Sequence, residues 1–275
     1  MEVMNTVVIA GGNSGVGLQT ARQILAEGHR VILLGRDQRK GEDAIASFGA
    51  ARARANFLSV DLSTNNGVRD AARRINELTD RIDGLVHSAS VFVTKDVRTV
   101  DGLNLFFELS YLSRYHLTQL LLPKLLLSDR PRVVMLIATL NQVPKLDPAL
   151  FPYFEGFKFL TAVYQVNGAS MYYADYLMKT HPKIFAGCAS PGFVRTGIFR
   201  EAPWFLKAYV ALAAPFRANS VETAAHNVVE TVLRGEGKSA FNWNKPGDFQ
   251  HKFAISVDPA VQNAVMAASR KVTGA

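Results

Sequence analysis

Three glycines, Gly11, Gly15 and Gly17, are spaced as a nucleotide phosphate site requires. They directly follow the apolar run at residues 7–9, which is typical of a buried parallel strand, and residues 18–25 have the spacing of an amphipathic helix. Glycine permits a tight turn and a close backbone approach, while a helix N-terminus offers free N–H groups to a pyrophosphate. Strand, glycine turn and helix in this order therefore predict a dinucleotide-binding site.

Further motifs accompany the glycine turn along nearly the whole chain. Its spacing, G-x-x-x-G-x-G rather than G-x-G-x-x-G, resembles that of the short-chain dehydrogenase/reductase family, and residues 35–42 resemble the retinol-dehydrogenase-like branch. Residues 197–201 and 241–243 also resemble protochlorophyllide reductases. The other matching motifs are Val60-Asp61-Leu62, His87-Ser88-Ala89-Ser90, Thr99-Val100-Asp101-Gly102 and Pro191-Gly192-Phe193-Val194-Arg195-Thr196. The resemblance implies a nicotinamide-dependent oxidoreductase.

The residue at the exit of the second strand, Arg36, indicates which cofactor binds. An acidic residue there would hold a ribose diol and repel a 2′-phosphate, whereas arginine makes bidentate, charge-assisted hydrogen bonds to phosphate. Lys40 follows one helical turn later, and in the resembling branch an Arg-Asp pair goes with the phosphorylated cofactor. We therefore expect NADP(H). Its expected binding residues are Gly11, Asn13, Ser14, Gly15, Val16, Gly17, Arg36, Lys40, Asp61, Leu62, Ser88, Ala89, Pro191, Gly192, Val194 and Thr196.

The catalytic residues that the resemblance implies are absent from their positions. The family uses a tetrad of Asn, Ser, Tyr and Lys. Alignment of residues 101–105 with the central helix puts Ser110 at the asparagine. Alignment of residues 131–134 puts Ala138 at the serine, with Thr139 as the neighbouring hydroxyl.

The tyrosine and lysine, spaced Y-x-x-x-K in the family, are also replaced. Counting back from residues 191–192 puts Val163 or Tyr164 at the tyrosine and Asn167 or Gly168 at the lysine, and residues 151–180 contain no Y-x-x-x-K. In the family the tyrosine exchanges a proton with the substrate oxygen, and the lysine makes that exchange possible near neutral pH. The nucleotide half of the site is thus better preserved than the chemical half.

Three functions remain open. The first is an NADP(H)-dependent reductase or dehydrogenase whose proton passes through Thr139, Tyr164, Asn167 or the substrate's own hydroxyl. The second is a non-redox cyclase or isomerase that uses the same cavity, and the third is a catalytically silent NADP(H)-binding or partner-binding protein. The retained glycines and Arg36 favour the first function over the second, because an abandoned cofactor site need not keep them.

Alternating strands and helices must position these residues. The patterning predicts strands at 6–10, 30–34, 55–60, 84–87, 132–138, 184–189 and 238–242, and helices at 15–27, 38–48, 65–80, 101–128, 163–180 and 220–233. This alternation is typical of βαβ units, so we expect an α/β fold: a single Rossmann-like doubly wound parallel sheet with helices on both faces. The lack of a linker or repeat predicts one domain over residues 1–275.

Two aromatic-rich segments, residues 151–161 and 197–217, are expected to form the substrate site. Together they indicate a bulky apolar or aromatic small-molecule substrate, and in the family the second segment is the substrate lid. For any single aromatic the alternative is that it completes the core or a subunit interface.

Composition narrows the possible partners. The net charge is +8, yet no Lys/Arg block is interleaved with aromatics, so we expect no nucleic-acid partner. The single cysteine, Cys188, excludes an internal disulfide framework, and no metal-ligand spacing occurs. Without a signal peptide or membrane span, a cytoplasmic location is expected. The apolar helices at 101–128 and 163–180 are consistent with a homodimer or homotetramer, as in the family, and equally with simple burial.

Overall fold

A single twisted sheet forms the centre of the structure, a computed structural model that describes residues 4–140, 142–192, 194, 219–235, 240–245 and 248–275. Within these residues the eight strands lie in the order β3-β2-β1-β4-β5-β6-β7-β8, and every neighbouring pair is parallel except β7 with β8. The strands are β1 (Thr6–Ala10), β2 (Arg30–Gly35), β3 (Ala55–Ser59), β4 (Gly84–His87), β5 (Arg132–Leu136), β6 (Phe185–Ser190), β7 (Ala240–Lys245) and β8 (Asp248–Phe253).

Helices cover both faces of the sheet. They are α1 (Gly15–Ala26), α2 (Gln38–Ala46), α3 (Asn65–Leu78), α4 (Leu105–Phe107), α5 (Ser113–Leu126), α6 (Phe159–Thr180), α7 (Val221–Arg234) and α8 (Pro259–Thr273). Alternate residues of β1 belong to two different apolar clusters: Val7 and Ile9 pack with α1 and α7, whereas Val8 and Ala10 pack with α3, α5, α6 and α8. The predicted Rossmann-like doubly wound sheet is confirmed.

The strand order creates a crevice between β1 and β4. On one side of this point β2 and β3 follow β1 towards one edge of the sheet. On the other side β5, β6 and β7 follow β4 towards the opposite edge. In open α/β sheets, ligands bind outside the carboxyl ends of the strands at such a reversal. The register pairs Ala10 with His87, so the glycine turn after β1 lies beside the residues that follow β4.

The predicted helix over 101–128 is wrong at its start and in its continuity. Residues 99–103 form a turn in which Gly102 has a φ of 76°, and α4 begins only at Leu105. The Asn104 side chain caps it by accepting hydrogen bonds from the N–H groups of Phe106 and Phe107. A π-helical stretch at Glu108–Leu112 then separates α4 from α5. Such a stretch inserts an extra residue into the helical repeat and is frequent at functional sites.

The sequence prediction also missed two elements and shortened a third. α6 begins at Phe159 rather than at 163, and neither the antiparallel strand β8 nor helix α8 was predicted. α8 carries a local signal that was overlooked: Asp258 accepts hydrogen bonds from the N–H groups of Ala260 and Val261, and Pro259 occupies the first helical position.

Candidate active site

The glycine turn after β1 is built so that no larger residue fits. Gly11 has a φ of 81°, and a Cβ added there would lie 2.6 Å from the backbone nitrogen of Ala89. A Cβ added at Gly17 would lie 2.2 Å from the carbonyl oxygen of Gly11. The turn is therefore packed backbone to backbone against residues 88–89, which fixes its position at the crevice between β1 and β4.

The N-terminus of α1 keeps its N–H groups available to a ligand. Ser14 occupies the N-cap position but makes no side-chain capping bond. In α2, α3, α7 and α8 the N-cap side chain does accept a hydrogen bond from the first turn. Uncapped N–H groups and the positive end of the helix dipole are able to bind an anion at the place where the glycine turn approaches the crevice.

The exit of β2 leaves one cation uncommitted. The carboxylate of Asp37 accepts a hydrogen bond of 3.0 Å from the backbone N–H of Lys40 and lies 3.3 Å from its ammonium, and these contacts hold the pKa of Asp37 below its usual range. The backbone carbonyl of Arg36 accepts a hydrogen bond of 3.1 Å from the hydroxyl of Ser59. The guanidinium of Arg36 forms no hydrogen bond or ion pair with any residue that the structure describes, and the residue is exposed. Asp37 is thus used to start α2, while Arg36 is free to bind a ligand.

The motif after β3 forms a compact turn on the same edge. The carboxylate of Asp61 accepts hydrogen bonds from the N–H and the hydroxyl of Ser63, at 3.0 and 2.7 Å, and Leu62 is buried beneath it. Asp61 itself stays exposed.

A buried acid, Glu108, lies in the π-helical stretch near this turn. Burial raises its pKa to about 8, and the carboxylates of Asp101 and Asp61 act in the same direction, whereas a hydrogen bond with the Thr99 hydroxyl acts against them.

Short polar contacts occur at the positions that the sequence analysis aligns with the family's catalytic residues. The hydroxyls of Thr139 and Ser190 are 2.6 Å apart, and those of Ser110 and Ser90 are 2.9 Å apart. Thr139 follows β5 and Ser190 ends β6, so these two hydroxyls meet at the carboxyl edge of neighbouring strands. They form a pair that can donate or accept a proton at the edge where a ligand of this sheet would bind.

The two helical candidates on α6 behave differently from each other. The side-chain oxygen of Asn167 accepts a hydrogen bond of 2.8 Å from the N–H of Ala138, and its amide nitrogen donates one of 2.6 Å to the carbonyl of Val163. The side chain of Tyr164 is 55% exposed and shares no hydrogen bond with Thr139 or Asn167 in the described part of the chain. The structure therefore joins Ala138 to Asn167 and Thr139 to Ser190, and it leaves Tyr164 outside these contacts.

Comparison with known proteins identifies the family of the chain. Residues 5–149, more than half of the chain, match the model of a family described as short chain dehydrogenase. The chain belongs to the short-chain dehydrogenase family.

Curated relatives support the retinol-dehydrogenase-like branch that residues 35–42 predicted. The chain is 34% identical to mouse retinol dehydrogenase 13 over 146 residues, which are 52% of this chain and 43% of that protein. It is 27% identical to the WW domain-containing oxidoreductase of Drosophila melanogaster over 235 residues, 81% of this chain and 57% of that protein. The chain thus spans about half the length of these relatives.

A solved structure shares the fold. L-sorbose reductase from Gluconobacter frateurii, complexed with NADPH and L-sorbose, superposes with a TM-score of 0.69 at 18% identity, over 88% of this chain and 95% of that one.

The structure describes only part of the two expected substrate segments. Thr196 and the segment 197–217 lie outside the described residues. In the segment 151–161, Phe151 and Phe154 are buried and pack on Phe107, with ring centroids 5.5 and 5.3 Å away, so these two complete the core. Tyr153 is half exposed and remains open to a ligand.

The sequence analysis missed Ser190 and Arg114. Ser190 directly precedes the Pro-Gly motif at 191–192, and that position could have drawn attention to it. Arg114 is the only arginine or lysine in the sequence between Arg98 and Lys124, a stretch rich in leucine and aromatics, which is a signal for a buried charge.

None of the helices in the described residues combines the length and the apolar character that crossing a bilayer requires. The same residues contain no group of three or more His, Cys, Asp and Glu side chains that could hold a metal ion.

Proposed function

We propose that this protein is an NADP(H)-dependent oxidoreductase that acts on a bulky apolar or aromatic carbonyl or enone compound without the Tyr-Lys proton relay of its family. The observation that carries the proposal is the uncapped N-terminus of α1, which lies after a turn that only glycine can form. An unused serine at the N-cap contrasts with five helices, α2, α3, α4, α7 and α8, whose N-cap side chains are engaged. The geometry is that of a site kept open for a pyrophosphate.

The strand order gives the direction in which the dinucleotide would lie. With its pyrophosphate at α1, the 2′-phosphate would contact Arg36, and Lys40 would add positive charge beside it. The adenine would lie near Asp61 and Leu62, on the side of β2 and β3. The nicotinamide would then extend over β4, β5 and β6, on the other side of the crevice. The NADPH named in the L-sorbose reductase complex supports the choice of the phosphorylated cofactor.

Catalysis on this arrangement would depend on positioning. The cofactor supplies a hydride, and orientation of two reactants alone can account for several kcal/mol of a barrier. Thr139, with its hydroxyl hydrogen-bonded to Ser190, is the candidate to contact the substrate oxygen. The proton would come from this hydroxyl pair, from water or from an acidic group of the substrate.

A second candidate function has one observation in its favour. Both ends of the Asn167 amide are engaged by backbone groups, so this position, one of the two candidates for the lysine position, holds no group that could assist proton transfer. That engagement favours a catalytically silent NADP(H)-binding protein over an enzyme.

Deuterium labelling separates these functions. The protein is incubated with NADPH that carries deuterium at both C4 positions, and with a panel of bulky aromatic aldehydes, ketones and enones. Transfer of the label to product supports the oxidoreductase. Conversion of a substrate without label transfer supports a non-redox cyclase or isomerase, and tight binding of NADPH without any conversion supports the silent protein. Failure of NADPH to bind at all would overturn the proposal.

A further inference from the structure

Arg114 is a buried cation that has no anion beside it. Its side chain is 2% exposed in the middle of the packed helices, between α5 and α6. One terminal nitrogen donates a hydrogen bond of 3.2 Å to the hydroxyl of Ser170, while Nε has no hydrogen-bond partner within the described residues. No carboxylate among those residues forms an ion pair with it. A buried charge without a paired anion lowers the stability of the fold. Its presence therefore calls for a functional explanation.

The titratable groups near Arg114 are neutral at pH 7. Burial raises the pKa of the Cys188 thiol to about 12, so this group does not supply a thiolate. Burial, together with the charge of Arg114, holds the pKa of His87 well below its usual range, and its Nε2 contacts the hydroxyl of Thr118 at 2.9 Å. Arg114 itself stays charged, because a guanidinium keeps its proton far above neutral pH.

The position of Arg114 relates this charge to the edge of the sheet where ligands bind. His87, Met135 and Cys188 lie in register across β4, β5 and β6, and β6 ends two residues later at Ser190. Arg114 lies one helical turn after Ser110, on the same face of the helix. The charge of Arg114 acts on both His87 and Cys188, which places the guanidinium on the α5–α6 side of the sheet, near the carboxyl-terminal halves of β4 and β6 and on the side of the crevice opposite Arg36.

We propose that the charge of Arg114 makes this site bind the reduced cofactor in preference to the oxidised one. This inference rests on the proposed function, which lays the nicotinamide over β4–β6. The oxidised nicotinamide ring carries a positive charge, and the reduced ring is neutral. A fixed cation beneath the ring repels the oxidised form and leaves the reduced form unaffected, so NADPH binds more tightly than NADP⁺.

Titration calorimetry with NADP⁺ and NADPH tests the inference. The ratio Kd(NADP⁺)/Kd(NADPH) of the wild-type protein should exceed about fivefold, and Arg114→Met and Arg114→Gln should lower it by roughly tenfold, as expected for two like charges about 10 Å apart at an effective dielectric constant of about 20. Arg114→Lys retains the charge and should keep the ratio. Arg132→Met is the matched control, because Arg132 is a buried arginine at the opposite end of β5, where its Nε donates to the carbonyl of Gly235 at 3.1 Å. It should also keep the ratio.

The outcomes separate this inference from the proposed function. A purely structural Arg114 would change the melting temperature of the neutral variants and leave the ratio within twofold, which overturns the inference. Should neither neutral variant fold, the wild-type ratio decides, and equal affinities for NADP⁺ and NADPH overturn it. If neither cofactor binds to the wild-type protein, the proposed function fails instead.

Discussion

The side-chain oxygen of Asn167 accepts a hydrogen bond of 2.8 Å from the backbone N–H of Ala138, which ties α6 to the chain segment that follows β5. The same amide donates to the carbonyl of Val163, so both of its ends are engaged. Asn167 therefore positions the neighbouring Thr139 against α6. A side chain held in this way is poorly suited to pass a proton, so we expect turnover not to depend on Asn167 as a proton carrier.

Single substitutions at the three candidate residues should reduce turnover only modestly. Tyr164→Phe removes a hydroxyl from an exposed side chain and should leave turnover within about tenfold of the wild type, since proton transfer from water or substrate does not pass through one side chain. Thr139→Ala and Asn167→Ala should have effects of similar size. Steady-state kinetics on any substrate found by the labelling experiment measures them. A loss of about a thousandfold in Tyr164→Phe, with NADPH still bound, would identify Tyr164 as an ordinary catalytic acid.

Arg36 should decide between the two nicotinamide cofactors. Arg36→Ala should weaken NADPH binding by more than about tenfold, the loss of a charge-assisted pair with the 2′-phosphate, and should change NADH binding little. Arg39→Ala serves as the control. It removes an exposed cation from the first turn of α2 that is not among the residues proposed to contact the 2′-phosphate. Calorimetric titration measures both cofactors. A wild-type protein without preference for the phosphorylated form would contradict the assignment.

Gly17 and Gly28 allow the glycine turn to be tested with a matched pair. Gly17→Ala puts a Cβ 2.2 Å from the carbonyl oxygen of Gly11, so the turn must shift, and we expect NADPH affinity to fall by more than about tenfold. Gly28 has a φ of 88° but nothing within 4 Å of an added Cβ, so Gly28→Ala should cost only the backbone strain of about 1 kcal/mol and leave affinity unchanged. Fluorescence titration and thermal melts distinguish the two. Equal affinity in both variants would show that the turn is not part of the site.

A feature of this fold could be predicted from the sequence when its physical cause lies within a few neighbouring residues. The glycine turn, the strand before it and the helix after it are each recognisable from a few neighbouring residues. The structure contains the strand and the helix where they were predicted. The contacts between Thr139 and Ser190 and between Ala138 and Asn167 join residues that are 51 and 29 positions apart. No local pattern reports such pairs. The π-helical stretch at Glu108–Leu112 likewise depends on packing inside the core, and an apolar periodicity predicts only a continuous helix there.

Glu108 should make the stability of the protein fall as the pH rises. Its pKa is raised from 4.5 to about 8 in the folded state, so the folded protein binds more protons than the unfolded chain between these values. The contribution to stability is full below about pH 4.5 and is lost as the pH rises through about 8. Glu108→Gln imitates the protonated acid and should flatten this decline. Urea unfolding at pH 5.5, 7.0 and 8.5 measures the free energy of unfolding. If it falls equally with pH in the wild type and the variant, Glu108 is not the group responsible.

The C-terminal helix α8 covers the face through which α5 and α6 could otherwise pair with a second copy. Residues 165–175 of α6 are buried on every side, although no partner chain is present. Gln262 of α8 donates hydrogen bonds of 2.8 Å to the carbonyl of Tyr172 and to the carboxylate of Asp175, and Ser269 contacts the hydroxyl of Tyr111 at 2.9 Å. This arrangement favours the simple burial of these helices over the homodimer or homotetramer that was also open.

We therefore expect the chain to be a monomer of 30.2 kDa in solution. Val265, fully buried on α8, is the residue to change: Val265→Asp puts a charge into the packed interface and should detach the helix, which exposes apolar surface and promotes association. The control is Leu127→Glu. Leu127 directly follows α5 and is 64% exposed, so this substitution should leave the monomer unchanged. Sedimentation equilibrium measures all three proteins. A wild-type dimer that Leu127→Glu dissociates would mean that the helices pair beyond the area that α8 covers.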